Sequence, residues 1–479
     1  MVRLSTAVGN WYDLRTQRRT KPTYTRVEQT MSIDAATDRH SAYDKKRLFL
    51  VSALALTTAG TNAALRANTA ADLQRIFLDP VDAVHSATMI ASILGVPFLG
   101  FALTIAIGSP LLDYIGMKLL LMLSGVGFTV GMLLTLFAGQ IATGAGVYQV
   151  LFLGAIIAGI GWGLAETVVN PLVATLYPED KTAKLNLVHA WWPGGLVIGG
   201  LLGVGLSQIG FGWQVKLALS ILPAVGVTIV CMGLKFPPTE RAASGVSIGQ
   251  MFRELRSPLF VILFLSMFLT AASELAPGQW VDIALSRTVH MPGILLLVYV
   301  SGLMFVMRHF AGALGKRLSP IGVLWLSSLM AALGLVALSY ANSPVTGLLA
   351  ATLWGTGVCF MWPTMLASAS ERFPRGGALL MGLMGTAGTL SIQFVLPFMG
   401  RVFDNKKVEV AGGVEAFQRL APGAELDRVL GLAAQESFRV VAILPAFLLI
   451  VFAGIWLYDR SQGGFKKQTI DRDVPEFSL

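Results

Sequence analysis

The sequence has little charge and almost no cysteine. Of its 479 residues, 13% are charged and 54% are hydrophobic, two are cysteines, and the mean hydropathy is +0.67. Soluble domains contain about 25% charged residues, so the composition excludes an ordinary soluble protein. Cys231 and Cys359 both lie in apolar runs without metal-ligand spacing, and we interpret them as small buried hydrophobic residues.

Motifs of soluble catalysis are lacking as well. The chain contains no HExxH zinc motif and no phosphate-binding G-x-x-x-x-G-K-[ST] loop, and its polar segments are too short to form a catalytic domain. We therefore expect no enzyme activity, no ATP-driven pump within this chain, and no cofactor or metal.

Long apolar runs are abundant. Segments of roughly 20 mostly apolar residues, enough to cross a bilayer, recur from Leu48 to Leu457. Their approximate limits are 48–70, 86–108, 119–138, 147–176, 185–208, 216–234, 258–283, 293–314, 321–340, 345–369, 377–402 and 436–457. The first follows a polar leader of 47 residues and exceeds a signal-peptide core, so we expect it to stay in the membrane. The sequence predicts an all-α integral membrane protein with twelve transmembrane helices.

Basic residues near the segment ends predict the orientation. The leader ends in Lys45, Lys46 and Arg47, and from there every second turn carries Lys or Arg, whereas the turns "AGQIATGAG" and "ANSPVT" carry none. The basic residues in those turns are Lys118, Lys181, Lys184, Lys316, Arg317, Arg372 and Arg375. Since such residues favour the cytoplasmic side, we expect a multi-pass protein of the cell membrane with both termini in the cytoplasm. The formal charge of +9 then reflects these loops and the anionic lipid surface, and no nucleic-acid partner is expected.

A polar interruption divides the chain into two halves of six segments. We predict a cytoplasmic tail, a first half, a central loop with a short amphipathic surface helix, a second half containing a long external loop, and a second cytoplasmic tail. The respective limits are 1–47, 48–234, 235–257, 258–457 with the loop at 403–435, and 458–479. Trp162-Gly163 with Pro171 recurs as Trp354-Gly355 with Pro363, at an offset of 192. Repeated halves of this kind place a binding site between them near the bilayer midplane.

The turn after segment 2 reads "GSPLLDYIGMK", with Gly108, Asp113, Gly116 and Lys118. It resembles the G-x-x-x-D-(x-x)-G-x-[RK] signature of the major facilitator superfamily, with one extra residue before the aspartate. The resemblance implies the major facilitator fold and a role for Asp113 in bracing the two halves in the outward-facing state. A helix-capping aspartate in an ordinary tight turn is the alternative. The equivalent turn of the second half has Arg317 instead, so bracing there needs other partners.

Within that superfamily, "ETVVNPLVATLYPEDKTAKLNLVHAWWPGG" is similar to the corresponding region of the fucose permease type of sugar:proton symporters. The matching residues include Glu166, Asn170-Pro171 and the polar position at His189, and Glu274 with Gly278 matches that group's Glu-x-x-x-Gly motif. The resemblance implies secondary transport of a sugar or sugar-like compound by alternating access in symport with a proton; sodium is the alternative coupling ion.

Segment 1 departs from that group. Where the group has an aspartate, this chain offers Asn62, Arg66 and Asn68. Arg66 either contacts an anionic substrate or neutralises Glu166 or Asp72, and both alternatives remain open.

Glu166 lies well inside segment 4, where a carboxylate is costly and is usually retained for function. Because burial disfavours the charged form, we predict that Glu166 carries the coupled proton, with His189 and Glu274 as the next candidates. A structural role is the alternative. Pro171 and Pro363 each remove a backbone donor and predict weak points in two equivalent helices.

Several tryptophans lie inside the apolar segments rather than at their ends. Trp192 and Trp280 are predicted to line the pocket together with Trp362, because sugar rings stack on aromatic faces. Packing is the alternative for each. Arg308 and His309, near the end of segment 8, are interpreted as structural.

Two further functions remain possible at this point. One is an organic-anion transporter or exporter that uses Arg66, and the other is a non-transporting membrane receptor or scaffold. The expected partners are a small-molecule substrate, a coupling ion and the lipid bilayer, and one chain is expected to suffice for function.

Overall fold

The computed structural model describes residues 43–82, 86–285, 293–421 and 423–470. Within these ranges the side chains of residues 87, 88, 279–285, 293, 294, 393 and 396 are not described. Most of the predicted tail 1–47 and the side chain of Trp280 therefore lie outside the described residues.

Twelve long helices make up the described chain, which contains no β-strand. They are α1 Lys45–Leu73, α2 Ser86–Ile115, α3 Met117–Leu136, α4 Ala145–Leu176, α5 Lys181–His189 with Trp191–Gln208, α6 Trp213–Leu219 with Ile221–Met232, α7 Pro258–Leu285, α8 Gly293–Arg308, α9 Ala311–Leu338, α10 Pro344–Val358 with Met361–Arg372, α11 Gly377–Ala411 and α12 Ala424–Ser461. Helix α9 is broken at Ser319, whose φ of 61° is not helical, so the part before Ser319 and the part after it are two separate helical pieces. By length and composition, eleven of the helical stretches found there can cross a membrane, and α8 is a shorter apolar helix. The predicted all-α membrane fold is confirmed.

Prolines explain two of the helix interruptions. A helical proline has no N–H, so the carbonyl four residues earlier loses its intrahelical donor; we call such a group a proline-freed carbonyl. Pro193 frees the carbonyl of His189, where the first part of α5 ends, and Pro363 frees that of Cys359, where α10 is interrupted. In α4, by contrast, the helix continues through Pro171.

The end of α2 differs from the prediction. We expected a turn from Gly108 onward, but α2 continues to Ile115, and the turn is the single residue Gly116, whose φ of 92° favours glycine. The helix continues because Leu112 and Ser109 carry on its buried face. Gly108 is thus a helical residue, and Asp113 lies in the last turn of α2.

The predicted loop 403–435 is mostly helical. Helix α11 extends to Ala411 and α12 already begins at Ala424, which leaves a short connection that contains the helix Val414–Gln418. Hydropathy detects only the part of a helix that is apolar. Here the polar ends are supported by pairs three residues apart, Lys407 with Asp404 and Arg428 with Glu425.

Close helix packing brings the helices of the first half together around the site. A Cβ on Gly60 of α1 would lie 2.1 Å from the carbonyl oxygen of Trp192, and one on Gly195 of α5 would lie 2.4 Å from that of Thr57. Glycine is therefore required where α1 crosses α5. One cluster of buried apolar residues lies within the first half and another within the second half.

The central loop contains the predicted surface helix at Ile248–Arg253. Ser247 caps it through a capping box with Gln250. The string "GVSIG" around this serine matches the G-x-S-x-G pattern of serine hydrolases, but Ser247 is a helix cap and follows no strand in the described structure.

Candidate functional site

Glu166 and Asn170 lie one turn apart on α4 and are both buried. The amide nitrogen of Asn170 donates to Glu166 Oε2 at 2.8 Å and to the Glu166 carbonyl at 3.1 Å. The asparagine thus satisfies one oxygen of a carboxyl that lies between helices, as a buried polar group requires.

His189 extends this network into α5. Its Nε2 lies 2.8 Å from Asn170 Oδ1 and 3.9 Å from Glu166 Oε2. Because an amide oxygen only accepts, Nε2 is the protonated ring nitrogen in this arrangement. The Asn170 amide therefore links the Glu166 carboxyl to the His189 imidazole.

Arg308 joins the two halves. Its Nη1 donates to the His189 carbonyl and its Nε to the Cys359 carbonyl, both at 2.6 Å, and its Nη2 lies 3.3 Å from Glu274 Oε1. Both carbonyls are proline-freed. One guanidinium thus supplies the donors that Pro193 and Pro363 remove, one in each half.

Aromatic rings form a wall beside this network. Trp162 and Trp192 are stacked, with ring centroids 6.3 Å apart and planes 10° apart, and Phe98 and Phe101 pack against Trp162. A cavity of about 40 Å³ lies among these residues; its other lining residues are Glu166, His189, Glu274, Leu275, Arg308, Trp362 and Thr389.

A second cavity, of about 210 Å³, shares Phe98, Trp162, Trp192, Glu274 and Leu275 with the first. It is also lined by Asn62 and Arg66 of α1 and by residues of α7, α8, α10 and α11. Both halves therefore contribute to one polar and aromatic site.

Most of the site residues that were predicted from the sequence lie at these two cavities. Glu166, Asn170, His189, Trp192, Glu274 and Trp362 lie at the smaller cavity or its network, and Asn62 and Arg66 lie at the larger one. Trp280 belongs to the side chains outside the described set. The proposed neutralising partners of Arg66 are engaged elsewhere, because Asp72 pairs with Arg75 at 3.1 Å and Glu166 with Asn170.

Four residues belong to the site although the sequence did not single them out for it: Arg308, Trp162, Phe98 and Phe101. Arg308 was interpreted as structural, whereas its side chain reaches both halves and lines the cavity. A signal was available, since prolines four residues after His189 and Cys359 leave carbonyls that need a donor from another helix.

A family model described as the Major Facilitator Superfamily matches residues 48–395. The chain belongs to the major facilitator superfamily. It is therefore a multi-pass membrane protein of a transporter family, and the predicted resemblance is confirmed. Comparison with the curated proteins gives no match in sequence.

Solved superfamily structures share the fold. The E. coli proton:xylose symporter XylE, bound to 6-bromo-6-deoxy-D-glucose, matches with a TM-score of 0.68 and 15% identity over 87% of this chain and 96% of that one. The E. coli fucose:proton symporter FucP matches at 0.60 and 19% over 84% and 99%. The human organic anion transporter MFSD10 matches at 0.61 and 14% over 85% and 99%. At these identities the likeness concerns the fold.

The superfamily motif has a clear geometry in this chain. Asp113 accepts a hydrogen bond from Thr239 Oγ1 at 2.6 Å and from Arg241 Nε at 2.9 Å, so it ties the end of α2 to the central loop. Lys118 instead donates to the carbonyl of Met232 at the end of α6. Arg317 lines a separate cavity of about 550 Å³ next to the chain after α12.

Polar contacts between the halves close one end of the helix assembly. We call this end, where α1 begins and α12 finishes, the terminal side. Lys181 of α5 donates to the Ser370 carbonyl of α10 at 3.3 Å and also pairs with Glu240 of the central loop at 2.6 Å. Thr182 donates to Glu371 of α10 through its N–H and hydroxyl at 3.1 and 2.9 Å, and Asn186 donates to Thr364 at 3.1 Å.

The chain after α12 adds to this closure. The N–H of Gln468 donates to the Glu371 carbonyl at 2.9 Å, Lys467 donates to the Glu179 carbonyl, and the Phe465 ring lies 4.8 Å from the Arg372 guanidinium. The segment therefore contacts both halves at the terminal side.

Proposed function

We propose that this protein is a secondary active transporter that carries a small, hydroxyl-bearing, sugar-like solute across the cell membrane together with a proton. The observation that supports this most is the pair of adjoining cavities between the halves. There a stacked tryptophan pair lies beside the Glu166, Asn170 and His189 network. The fold of two solved sugar:proton symporters is consistent with it.

The aromatic wall suits a sugar ring. Trp162 and Trp192 offer apolar faces and indole N–H groups; the Nε1 of Trp192 has no hydrogen-bond partner among the described residues, and the indole of Trp162 lies next to the Glu166 carboxyl. Amphipathic rings of this kind pack against C–H faces while donating to hydroxyl oxygens. A few polar groups in an otherwise apolar pocket then fix the orientation of the ligand.

Glu166 is the proposed site of the coupled proton. When charged, its carboxylate makes reorientation of the empty carrier costly, because the buried charge would have to stay compensated while the surrounding helices move. Binding of a proton at the carboxyl removes the charge, and loss of the same proton on the opposite side restores it. Asn170 stays hydrogen-bonded to the carboxyl and keeps it next to His189.

Alternating access then requires the terminal side to open. In this conformation that side is closed by Lys181, Thr182 and Asn186, while the larger cavity is lined by Arg66 and Leu297, which lie near the opposite helix ends. With cytoplasmic termini this is an outward-oriented state. Opening the terminal side breaks these contacts and separates Arg308 from the His189 carbonyl.

Transport by liposomes containing only this protein tests the proposal. With an inward proton gradient, a labelled monosaccharide or sugar derivative should accumulate above its equilibrium level, and a protonophore should abolish the accumulation. A sodium gradient alone should have no effect. If no compound from a panel of pentoses, hexoses, deoxysugars, polyols and sugar acids is accumulated or exchanged, the protein is a receptor or scaffold instead.

A further inference from the structure

The larger cavity has an excess of hydrogen-bond donors on one wall. Asn62 Nδ2 and Trp192 Nε1 are buried and have no acceptor among the described residues, and the only described acceptor near Trp162 Nε1 is the Glu166 carboxyl. All three residues line this cavity, as does Arg66, and all four belong to the first half. A buried donor without an acceptor is costly, so this wall is suited to a ligand group rich in oxygen acceptors.

Arg66 adds a positive charge that is not paired with any carboxylate of the described residues. The residue is 9% exposed, and the only hydrogen bond described for its side chain runs from Nη2 to the Ile93 carbonyl at 2.6 Å. That carbonyl is freed by Pro97, four residues later in α2. No acidic side chain in the described part of the chain pairs with Arg66. Buried charges are normally paired, which points to an anionic partner that enters the cavity.

The opposite wall has a free acceptor. Glu274 of α7 bonds to Arg308 through Oε1 and has the backbone N–H of Trp362 nearby, while its Oε2 is buried and accepts no hydrogen bond of good geometry in the described structure. Around these polar groups the lining is apolar, with Leu94, Phe98 and Met304 among its residues. A matching ligand has an anionic, oxygen-rich end, an apolar face and a hydroxyl donor at the other end.

We propose that the transported solute is a sugar acid of monosaccharide size, whose carboxylate binds Arg66 and Asn62 while a hydroxyl donates to Glu274 Oε2. Its ring or chain lies against Trp162 and Trp192. This inference rests on the proposed transport function and narrows its substrate class. The two cavities, of about 210 and 40 Å³, fall below the usual range of roughly 300–1,000 Å³ for ligand pockets, which suits a single sugar unit.

A neutral sugar fits the same observations less well. It would satisfy the indole donors, but it would leave the Arg66 charge uncompensated in a buried site. If the substrate is a neutral sugar, the role of Arg66 is confined to its hydrogen bond with the Ile93 carbonyl. The two cases differ in how strongly binding depends on the ligand's carboxylate.

Matched pairs of ligands separate these cases in the full-length protein. Thermal-shift and competition binding are measured with D-glucuronate against D-glucose, D-galacturonate against D-galactose, and D-gluconate against sorbitol. At least one acid should bind about tenfold or more tightly than its neutral partner, since a charge-assisted pair is about twice as strong as a neutral one. Arg66→Gln should abolish this preference, whereas the exposed Arg75→Gln should retain it.

A second variant keeps the test valid if Arg66→Gln fails to fold. Pro97→Ala returns an N–H to α2 and so supplies the Ile93 carbonyl with an intrahelical donor. Arg66→Gln combined with Pro97→Ala should therefore fold and still lack the preference for acids.

Each outcome has a defined meaning. Binding of a neutral sugar with no preference for its acid overturns the sugar-acid inference and leaves the transport proposal intact. Arg66-dependent binding of butyrate as tight as that of the acids overturns the role of the hydroxyls. Failure of every sugar and sugar acid to bind or be transported overturns the proposed function itself.

Discussion

Helices α4 and α10 contain the same sequence pattern, but the structure around this pattern differs between them. In both, a Trp-Gly pair precedes a proline by the same spacing. The glycines are equivalent: Gly163 packs against Phe101 of α2, and Gly355 packs against Val300 of α8. Yet α4 is continuous through its proline, whereas α10 is interrupted.

The side chains at the equivalent positions of α4 and α10 also differ. Trp162 of α4 lies at the cavity with its indole next to the Glu166 carboxyl, whereas Trp354 of α10 donates to the Ser273 carbonyl at 3.0 Å, a group freed by Pro277. Where α4 has Glu166, the equivalent position of α10 is Val358. At this repeated position the first half therefore has a carboxyl and a ring beside the cavity, whereas the second half has an apolar residue and a tryptophan that donates to its own backbone.

Replacing the carboxyl of α4 should have the largest effect. Glu166→Gln imitates the protonated state permanently, so we expect substrate binding and exchange to persist while proton-driven accumulation falls to the equilibrium level. The measurement is uptake of labelled substrate by liposomes with and without an inward proton gradient. Glu409→Gln on the polar end of α11 is the matched control.

The equivalent test in the second half is the variant Glu274→Gln. Should Glu166→Gln accumulate substrate normally while Glu274→Gln does not, the coupled proton is carried by Glu274 of the second half.

Removal of Arg308 should cost the most stability. Arg308→Gln leaves the carbonyls of His189 and Cys359 and the Glu274 carboxyl without their donor, at about 1–3 kcal/mol for each buried group. We expect a clearly lower unfolding temperature in detergent, with Arg428→Gln on the exposed start of α12 as the control.

A double variant tests the mechanism behind this loss. Pro363→Ala restores an N–H to α10, so Arg308→Gln with Pro363→Ala should recover part of the lost stability. No recovery would show that the arginine does not act through the proline-freed carbonyl.

Asp113→Asn should have an intermediate effect. The change removes the charge from the pair with Arg241 at the end of α2, far from the cavities. We expect transport to fall several-fold while substrate affinity stays within about twofold, because the Asp113–Arg241 ion pair does not touch the ligand. Uptake rates and binding curves measure the two quantities, and wild-type uptake would exclude the bracing role.

The smallest effects are expected from the prolines themselves. Pro171→Ala should change turnover by less than about twofold, since α4 is already continuous. Pro363→Ala should slow turnover more, because it stiffens the interrupted helix. Equal effects on exchange rates in liposomes would remove the distinction between α4 and α10.

Much of the fold was predictable because the hydropathy of a segment and the effect of a proline on its helix depend only on residues that are close in sequence. The twelve segments followed from apolar length, and the meeting of Glu166, Asn170, His189 and Glu274 followed from resemblance and repeat. The polar ends of α11 and α12 were missed because hydropathy does not register a charged helix. The role of Arg308 was missed because its three partners lie on three other helices, which only the tertiary structure brings together.

The stacked indoles of Trp162 and Trp192 also give this protein an optical signal of its own. Two nearly parallel rings with centroids 6.3 Å apart couple electronically, and the near-ultraviolet circular dichroism of such a pair depends on their mutual angle. A ligand that enters between the halves and bonds to either N–H should change that spectrum. Occupancy can then be followed without a label, in the unmodified carrier, as it loads and empties.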